Sequence, residues 1–149
     1  MRGGVHTVER WRQNRHVIAP PDALVAEVTP FRSMSGAQLR QVGALAVGSP
    51  VVVCSPPPFA RRRCRRFAAA AGIDIHREYL AVPSPRAPAY LVEDAPAATA
   101  YFVRSILVAP PGRIWTVPFR LCLSAASRLP NPGPVVRLLA PRMVVGTRR

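Results

Sequence analysis

Five of the six residues at positions 61–66 are arginines, and they are the side chains of this sequence best suited to bind a ligand. A guanidinium group pairs with phosphate or carboxylate oxygens through two parallel hydrogen bonds. The run could therefore bind nucleic acid, an acidic lipid surface or a phosphorylated ligand. The candidate anion-binding residues are Arg61, Arg62, Arg65 and Arg66. The alternative is a solvated helix face, which is favoured because the opposite face of the predicted helix is apolar.

Aromatic residues near this run are few. Only Phe59 and Phe67 flank it, and Phe67 falls on the apolar side of the predicted helix. Proteins that bind single-stranded nucleic acid use aromatic side chains on which the bases stack. The sequence therefore argues against a single-strand site.

Two further groups could carry chemistry. Asp74, His76 and Glu78 alternate along a predicted strand and would share one face, as a metal or acid–base cluster would require. No fourth ligand is evident, so a polar strand face is favoured and no metal site is predicted. Cys54 ends a predicted strand, where α/β domains present active groups, and His76 could act as its base. A buried structural cysteine is the commoner role, and the catalytic residues remain unknown.

The chain as a whole is strongly basic. Its 149 residues include 21 arginines, no lysine and 7 acidic residues, for a formal net charge of +14 at pH 7. An anion-binding surface would explain this charge, but the absence of lysine favours codon bias in a GC-rich genome. The three cysteines form no CxxC pair, which is typical of a reducing compartment. With no signal-peptide pattern and no apolar run long enough to span a bilayer, we expect a cytoplasmic protein.

One strand–helix–strand unit is well marked. Val51–Cys54 is a β-branched run typical of a buried strand. Phe59–Ala71 predicts an amphipathic helix that ends at Gly72, a C-cap glycine. Its apolar side consists of Ala60, Cys64, Phe67, Ala68 and Ala71. Ile73–Leu80 predicts the second strand, and the resulting βαβ unit favours a mostly parallel sheet.

The remaining segments are less regular because 18 prolines interrupt the chain. Further elements are predicted as a strand at Ala23–Val28, helices at Gln38–Val47, Pro96–Ala109 and Ile114–Leu129, and a short final strand at Met143–Gly146. Asp94 is expected to cap the helix that begins at Pro96. The chain thus divides into a basic, poorly ordered arm (1–16), a poorly defined α/β segment (17–49) and a partial α/β domain (50–149).

The order of elements after Pro50 carries a resemblance to a known family. The first strand and helix are followed by Ala70-Ala71-Gly72, the second strand and Val82-Pro83-Ser84. This order is similar to the late part of class I S-adenosylmethionine-dependent methyltransferases, where an Ala-Gly-hydrophobic step leads to the sixth strand and an edge strand ends the chain. Residues 83–92 resemble a Pro-x-x-x-x-Pro-x-Tyr-Leu-Val insert of some bacterial members.

The resemblance implies a partial Rossmann-like βαβ unit with additional C-terminal helices and a short final strand. Its family binds S-adenosylmethionine through a Gly-rich loop after the first strand and an acidic residue at the end of the second. Here the glycines before Pro50 form no such loop, and Asp22 and Glu27 are the only acids between Arg10 and Asp74. We therefore assign no cofactor-binding residue and expect that this chain alone binds no cofactor.

Three hypotheses remain. The first is a truncated or diverged methyltransferase-like protein that is not catalytic alone and works with a separate cofactor-binding chain; if active, it would be a transferase. The second is a small arginine-rich module that binds nucleic acid or an anionic surface weakly. The third is a gene remnant without a selected activity.

Overall fold

Five strands form one open, mixed sheet in the part of the chain that the computed structural model describes, namely residues 13–30, 36–82, 84–106 and 133–149. The strands are β1 (Leu24–Glu27), β2 (Pro50–Ser55), β3 (Ile73–Val82), β4 (Tyr90–Glu93) and β5 (Arg142–Arg148). Their spatial order is β1-β2-β5-β3-β4. Among these described strands, only β1 and β2 are parallel neighbours. Strand β5 is antiparallel to both β2 and β3, and β4 is antiparallel to β3. The α/β class is confirmed, but the prediction of a mostly parallel sheet is wrong.

Four α-helices are present in the described part of the chain. They are α1 (Gly36–Gly43), α2 (Ala60–Ala71), α3 (Pro96–Tyr101) and α4 (Gly133–Leu139), with a 3-10 turn at Asn14–Val17 and a π-helical continuation of α3 at Phe102–Ile106. None of these helices is long and apolar enough to cross a membrane.

All four helices cover the same face of the sheet. Helices α1 and α2 share one buried apolar cluster with Val144 of β5. The continuation of α3 and helix α4 pack against Leu80 of β3 in another cluster. Val144 pairs with Glu78, and Leu80 lies two residues beyond Glu78, so both clusters are on one side of the pleat. The helices therefore form one layer over the sheet.

The last strand lies in the middle of the sheet rather than at its edge. In β5, Val145 is paired with Val52 of β2 on one side, and Met143 with Tyr79 of β3 on the other. The expected edge strand at the end of the chain is therefore wrong. The run Met143–Val144 is completely buried, as a strand covered on both faces requires. Strands β2 and β3 still point the same way and are joined by α2, so the strand–helix–strand unit is present but split by β5.

Helix α2 forms as its sequence pattern predicts. Its buried residues are Ala60, Cys64, Phe67, Ala68 and Ala71, which is the apolar side inferred from the 3.6-residue period. The helix ends at Gly72, which has φ 64° and ψ 44° and donates its backbone N–H to Ala68 and Ala69. A left-handed C-cap of this kind is the usual role of glycine at a helix end.

The other predicted elements are found with shifted bounds. The strand expected at Ala23–Val28 is β1, and β1 pairs with β2 over four residues, so residues 17–49 contribute to the same sheet as residues 50–149. The helix expected at Gln38–Val47 is α1. The helix expected at Pro96–Ala109 is α3 with its continuation as far as Ile106. The predicted helix at Ile114–Leu129 and most of the predicted basic arm lie outside the described residues.

Candidate anion-binding site

An open groove of about 590 Å³ lies between α2 and α4, and we call it the arginine groove. It is lined by the arginines Arg61, Arg62, Arg65, Arg66 and Arg137 and by the apolar residues Phe59, Ala69, Pro134 and Leu138. All four candidate residues from the sequence thus line one concavity. Arg137 of α4 was not anticipated, because nothing local in its sequence indicates that α4 lies beside α2.

The helical period explains how α2 presents its arginines. Residues four apart on a helix are neighbours on its surface, so Arg61 and Arg65 form one row, and Arg62 and Arg66 form a second. Arg63 differs from the others, since it is half-buried and donates from Nε to Ser55 Oγ at 2.9 Å. Arg63 therefore holds the end of β2, whereas the two rows face the groove.

Glu78 orients the first row of arginines. Its Oε1 atom accepts a hydrogen bond from Arg65 Nε at 2.6 Å, and Oε2 accepts one from Arg61 Nε at 3.1 Å. The Glu78 side chain is 9% exposed, whereas both arginines are largely exposed. One nearly buried carboxylate on β3 therefore positions two groove arginines.

Asp94 anchors the groove from the other side. Its side chain is 4% exposed, and its oxygens lie 2.6 Å from Arg137 Nε and 2.5 Å from Nη1 of Arg142, which is completely buried. Arg61 Nε also lies 3.6 Å from Asp94. Asp94 does not cap α3, because the cap residue is Ala95 and makes no side-chain hydrogen bond. The capping prediction is therefore wrong, since the carboxylate is engaged by arginines instead.

The arginines around the groove outnumber these two carboxylates. Arg62 and Arg66 are exposed, and within the described ranges neither forms an ion pair with an acidic side chain. The groove therefore combines arginines held in place by buried acids with arginines whose charge is available to a ligand. Such an arrangement attracts anions, and guanidinium groups pair well with phosphate and carboxylate oxygens.

A β-bulge separates the acidic group predicted on β3. The pairing of β3 with β5 shifts between Ile75 and Arg77, which leaves His76 as the extra residue. Asp74 consequently pairs with Thr147 but Glu78 with Val144, and residues three apart on β5 lie on opposite faces. The prediction that Asp74, His76 and Glu78 share a face is wrong. Glu78 instead points toward α2.

Cys54 and His76 are too far apart to form a catalytic pair. Cys54 is opposite Met143, whereas His76 Nε2 lies 2.9 Å from Thr147 Oγ1, four residues further along β5. At about 3.3 Å per residue the two positions are separated by about 13 Å along the strands. The hypothesis that His76 activates Cys54 is therefore wrong, and Cys54 is buried, as the structural alternative predicts.

Cys64 lies on the buried side of α2, under the arginine rows. Burial, and to a smaller extent the neighbouring Cys54, raises the pKa of its thiol from 9.0 to about 12. The thiol therefore stays protonated at neutral pH, and a protonated thiol is a poor nucleophile and a poor metal ligand.

A smaller cavity of about 240 Å³ lies at the carboxyl ends of β1 and β2. Cys54, Glu27 and Arg86 are among its lining residues. Arg86 donates to both carboxylate oxygens of Glu27, with the closest contact at 2.6 Å. The acidic group at the end of β1 is thus already engaged.

Comparison of the chain with protein-family models, curated proteins and solved structures finds no match. Within the described ranges there is also no group of three or more His, Cys, Asp or Glu side chains that could hold a metal ion.

Proposed function

We propose that the protein binds nucleic acid through phosphate contacts in the arginine groove. One observation carries the proposal: Arg137 of α4 faces the same concavity as the two arginine rows of α2. The solvated face of a single helix would present its charges outward and would need no second helix. Convergence of arginines from two helices on one concavity is instead well suited to a bound anion.

The buried acids support the proposal because they hold three of the groove arginines in position. Glu78 and Asp94 hold Arg61, Arg65 and Arg137 through hydrogen bonds of 2.6–3.1 Å. Ordering these long side chains in advance lowers the entropic cost of binding. The second row of α2 arginines is left to provide the excess positive charge.

The salt dependence of binding tests the proposal. Each arginine that neutralises a phosphate of a single strand contributes about −0.7 to the slope of log K against log salt. For the R62Q/R66Q variant we therefore expect a slope shallower than that of the wild type by about 1.4. Fluorescence anisotropy with a labelled oligonucleotide over a series of salt concentrations measures both slopes. Identical slopes for the two proteins would contradict the proposal.

A methyltransferase-like role is the second candidate. It is favoured by the helix-to-strand step at Gly72, where α2 passes directly into β3, since this is the segment on which the resemblance rests. In this role the chain would be a partial Rossmann-like domain that associates with a separate chain carrying S-adenosylmethionine.

Two features support the expectation that this chain alone does not bind that cofactor. In the described part of the chain, the cavity at the strand ends is smaller than the roughly 300 Å³ of typical small-molecule sites. Its carboxylate, Glu27, is held by Arg86. Isothermal titration calorimetry with S-adenosylmethionine should therefore give no saturable signal, and saturable micromolar binding would contradict this expectation.

A further inference from the structure

Phe59 is an exposed aromatic residue at the start of α2 and lines the arginine groove. It is 59% exposed, unlike Phe67, which is buried in the core as predicted. Leu138 of α4 lines the same groove and is 43% exposed. The groove thus combines positive charge with an open aromatic ring and an apolar residue from a second helix.

Phenylalanine is also an unfavourable residue type for the backbone conformation and the capping position of residue 59. Its backbone has φ 59° and ψ 24°, the left-handed conformation that a bulky side chain rarely adopts. As the residue that caps α2, it makes no side-chain hydrogen bond to the helix, which serine or aspartate would provide. Phe59 thus has an unfavourable backbone conformation and no capping hydrogen bond. Such a residue in the lining of a charged groove points to a role outside folding.

We propose that Phe59 is a platform on which an unpaired base stacks while Arg62 and Arg66 contact the adjacent phosphates, so that the ligand of the groove is single-stranded nucleic acid. This proposal rests on the proposed function. A ring face can stack on a base only where the base is not already stacked within a duplex. Single strands offer both the phosphates and the free base faces that this groove complements.

The sequence argued against single strands because too few aromatic residues flank the arginine run. The sequence shows how many aromatic residues are near the run but not where their rings lie. The structure puts Phe59 in the groove itself, beside the arginine rows. One ring in this position is sufficient to stack one base.

The test compares a labelled oligothymidylate of about 15 nucleotides, within the range of single-strand site sizes, with a duplex of the same length. The variants are F59L, which keeps an apolar side chain without a ring face, and F59Y, which keeps the ring. Y101L is the matched control, because Tyr101 is 64% exposed on α3 and is not part of the groove lining. Circular dichroism establishes that each variant is folded.

We expect F59L to bind the oligothymidylate roughly tenfold more weakly than the wild type, with the salt slope unchanged, because stacking involves no counterion release. F59Y and Y101L should bind the oligothymidylate with the affinity of the wild type. F59L should bind the duplex with the affinity of the wild type. Unchanged binding of the single strand by F59L would overturn the proposal. So would equal weakening for single strand and duplex.

The two proposals fail in different ways. If R62Q/R66Q makes the salt slope shallower while F59L binds the oligothymidylate as the wild type does, the groove binds nucleic acid but Phe59 does not stack on a base. If the wild type binds neither the oligothymidylate nor the duplex at low salt, both proposals fail.

Binding to vesicles of phosphatidylserine and phosphatidylcholine is the third measurement. If F59L weakens binding to these vesicles but not to the oligothymidylate, Phe59 contacts a lipid surface and the stacking proposal is wrong.

Discussion

Arg142 and Asp94 form an ion pair in the interior of the protein, with Arg142 Nη1 at 2.5 Å from Asp94 Oδ2. Arg142 begins the central strand β5 and is completely buried, whereas Asp94 lies just beyond the edge strand β4. The pair therefore ties the middle of the sheet to its edge. The same carboxylate receives Arg137 of α4, so the sheet and the arginine groove share one anchor.

Removal of Asp94 should destabilise the protein strongly. Breaking a buried pair leaves an uncompensated charge in the interior, and such losses are typically about 3–5 kcal/mol. We expect D94A to lose stability of this order in urea denaturation. The neighbouring variant E93A is the control, because Glu93 is exposed, and it should change the free energy of unfolding by less than about 0.5 kcal/mol. Similar effects of the two variants would contradict this account of Asp94.

Replacement of Phe59 by glycine should stabilise the protein. A left-handed conformation costs a bulky residue about 1–2 kcal/mol, which glycine avoids, although glycine also loses about 0.4–1 kcal/mol through the unfolded state. The midpoints of these two ranges differ by about 0.8 kcal/mol, so F59G should gain stability of about this size in thermal or urea denaturation. A loss of stability would mean that the ring supports the fold.

A substitution at Gly72 is the control for F59G, because it should change the stability in the opposite direction. It has φ 64°, and a Cβ atom there would lie 2.8 Å from Arg148 Nη1. The end of the flexible Arg148 side chain can move aside, so the cost of G72A comes mainly from backbone strain at the positive φ. G72A should therefore lower the free energy of unfolding in urea denaturation by about 1 kcal/mol or more.

Stability should fall at alkaline pH through Cys64. The folded thiol has its pKa raised to about 12, whereas the unfolded thiol ionises near 9. Between these values the unfolded state binds fewer protons than the folded state, so the free energy of unfolding decreases as the pH rises. Below pH 9 the thiol is protonated in both states, so the contribution of Cys64 to the free energy of unfolding no longer changes with pH. In C64A the decrease between pH 9 and 12 should be smaller than in the wild type, as measured by urea denaturation at each pH. Equal pH profiles would show that Cys64 does not titrate differently in the two states.

Local patterns predicted local structure well. The buried side of α2 follows from the spacing of Ala60, Cys64 and Phe67, and the end of this helix from Gly72, because both signals lie within a dozen neighbouring residues. The position of the four candidate arginines on the helix follows from the same spacing. Their common period places them on the surface that α2 turns away from the sheet.

Contacts between segments that are distant in the sequence could not be predicted from local patterns. Whether β5 pairs with β2 and β3 or lies at the edge depends on which strands meet in space. The bulge at His76 exists only in the pairing with β5, so alternation along β3 alone misplaced Glu78. Asp94 resembled a helix cap because Arg142, its partner, lies 48 residues further along the chain.

A charge-matched comparison of two double variants tests the central claim most directly. R62Q/R66Q removes two charges from the arginine groove, and R40Q/R77Q removes two exposed charges from α1 and β3 outside its lining. Both proteins have the same net charge. We predict that only R62Q/R66Q makes the salt slope for the oligothymidylate shallower, by about 1.4. Equal slopes in the two variants would contradict the account, since binding would then depend on the charge of the whole protein and not on the arginine groove.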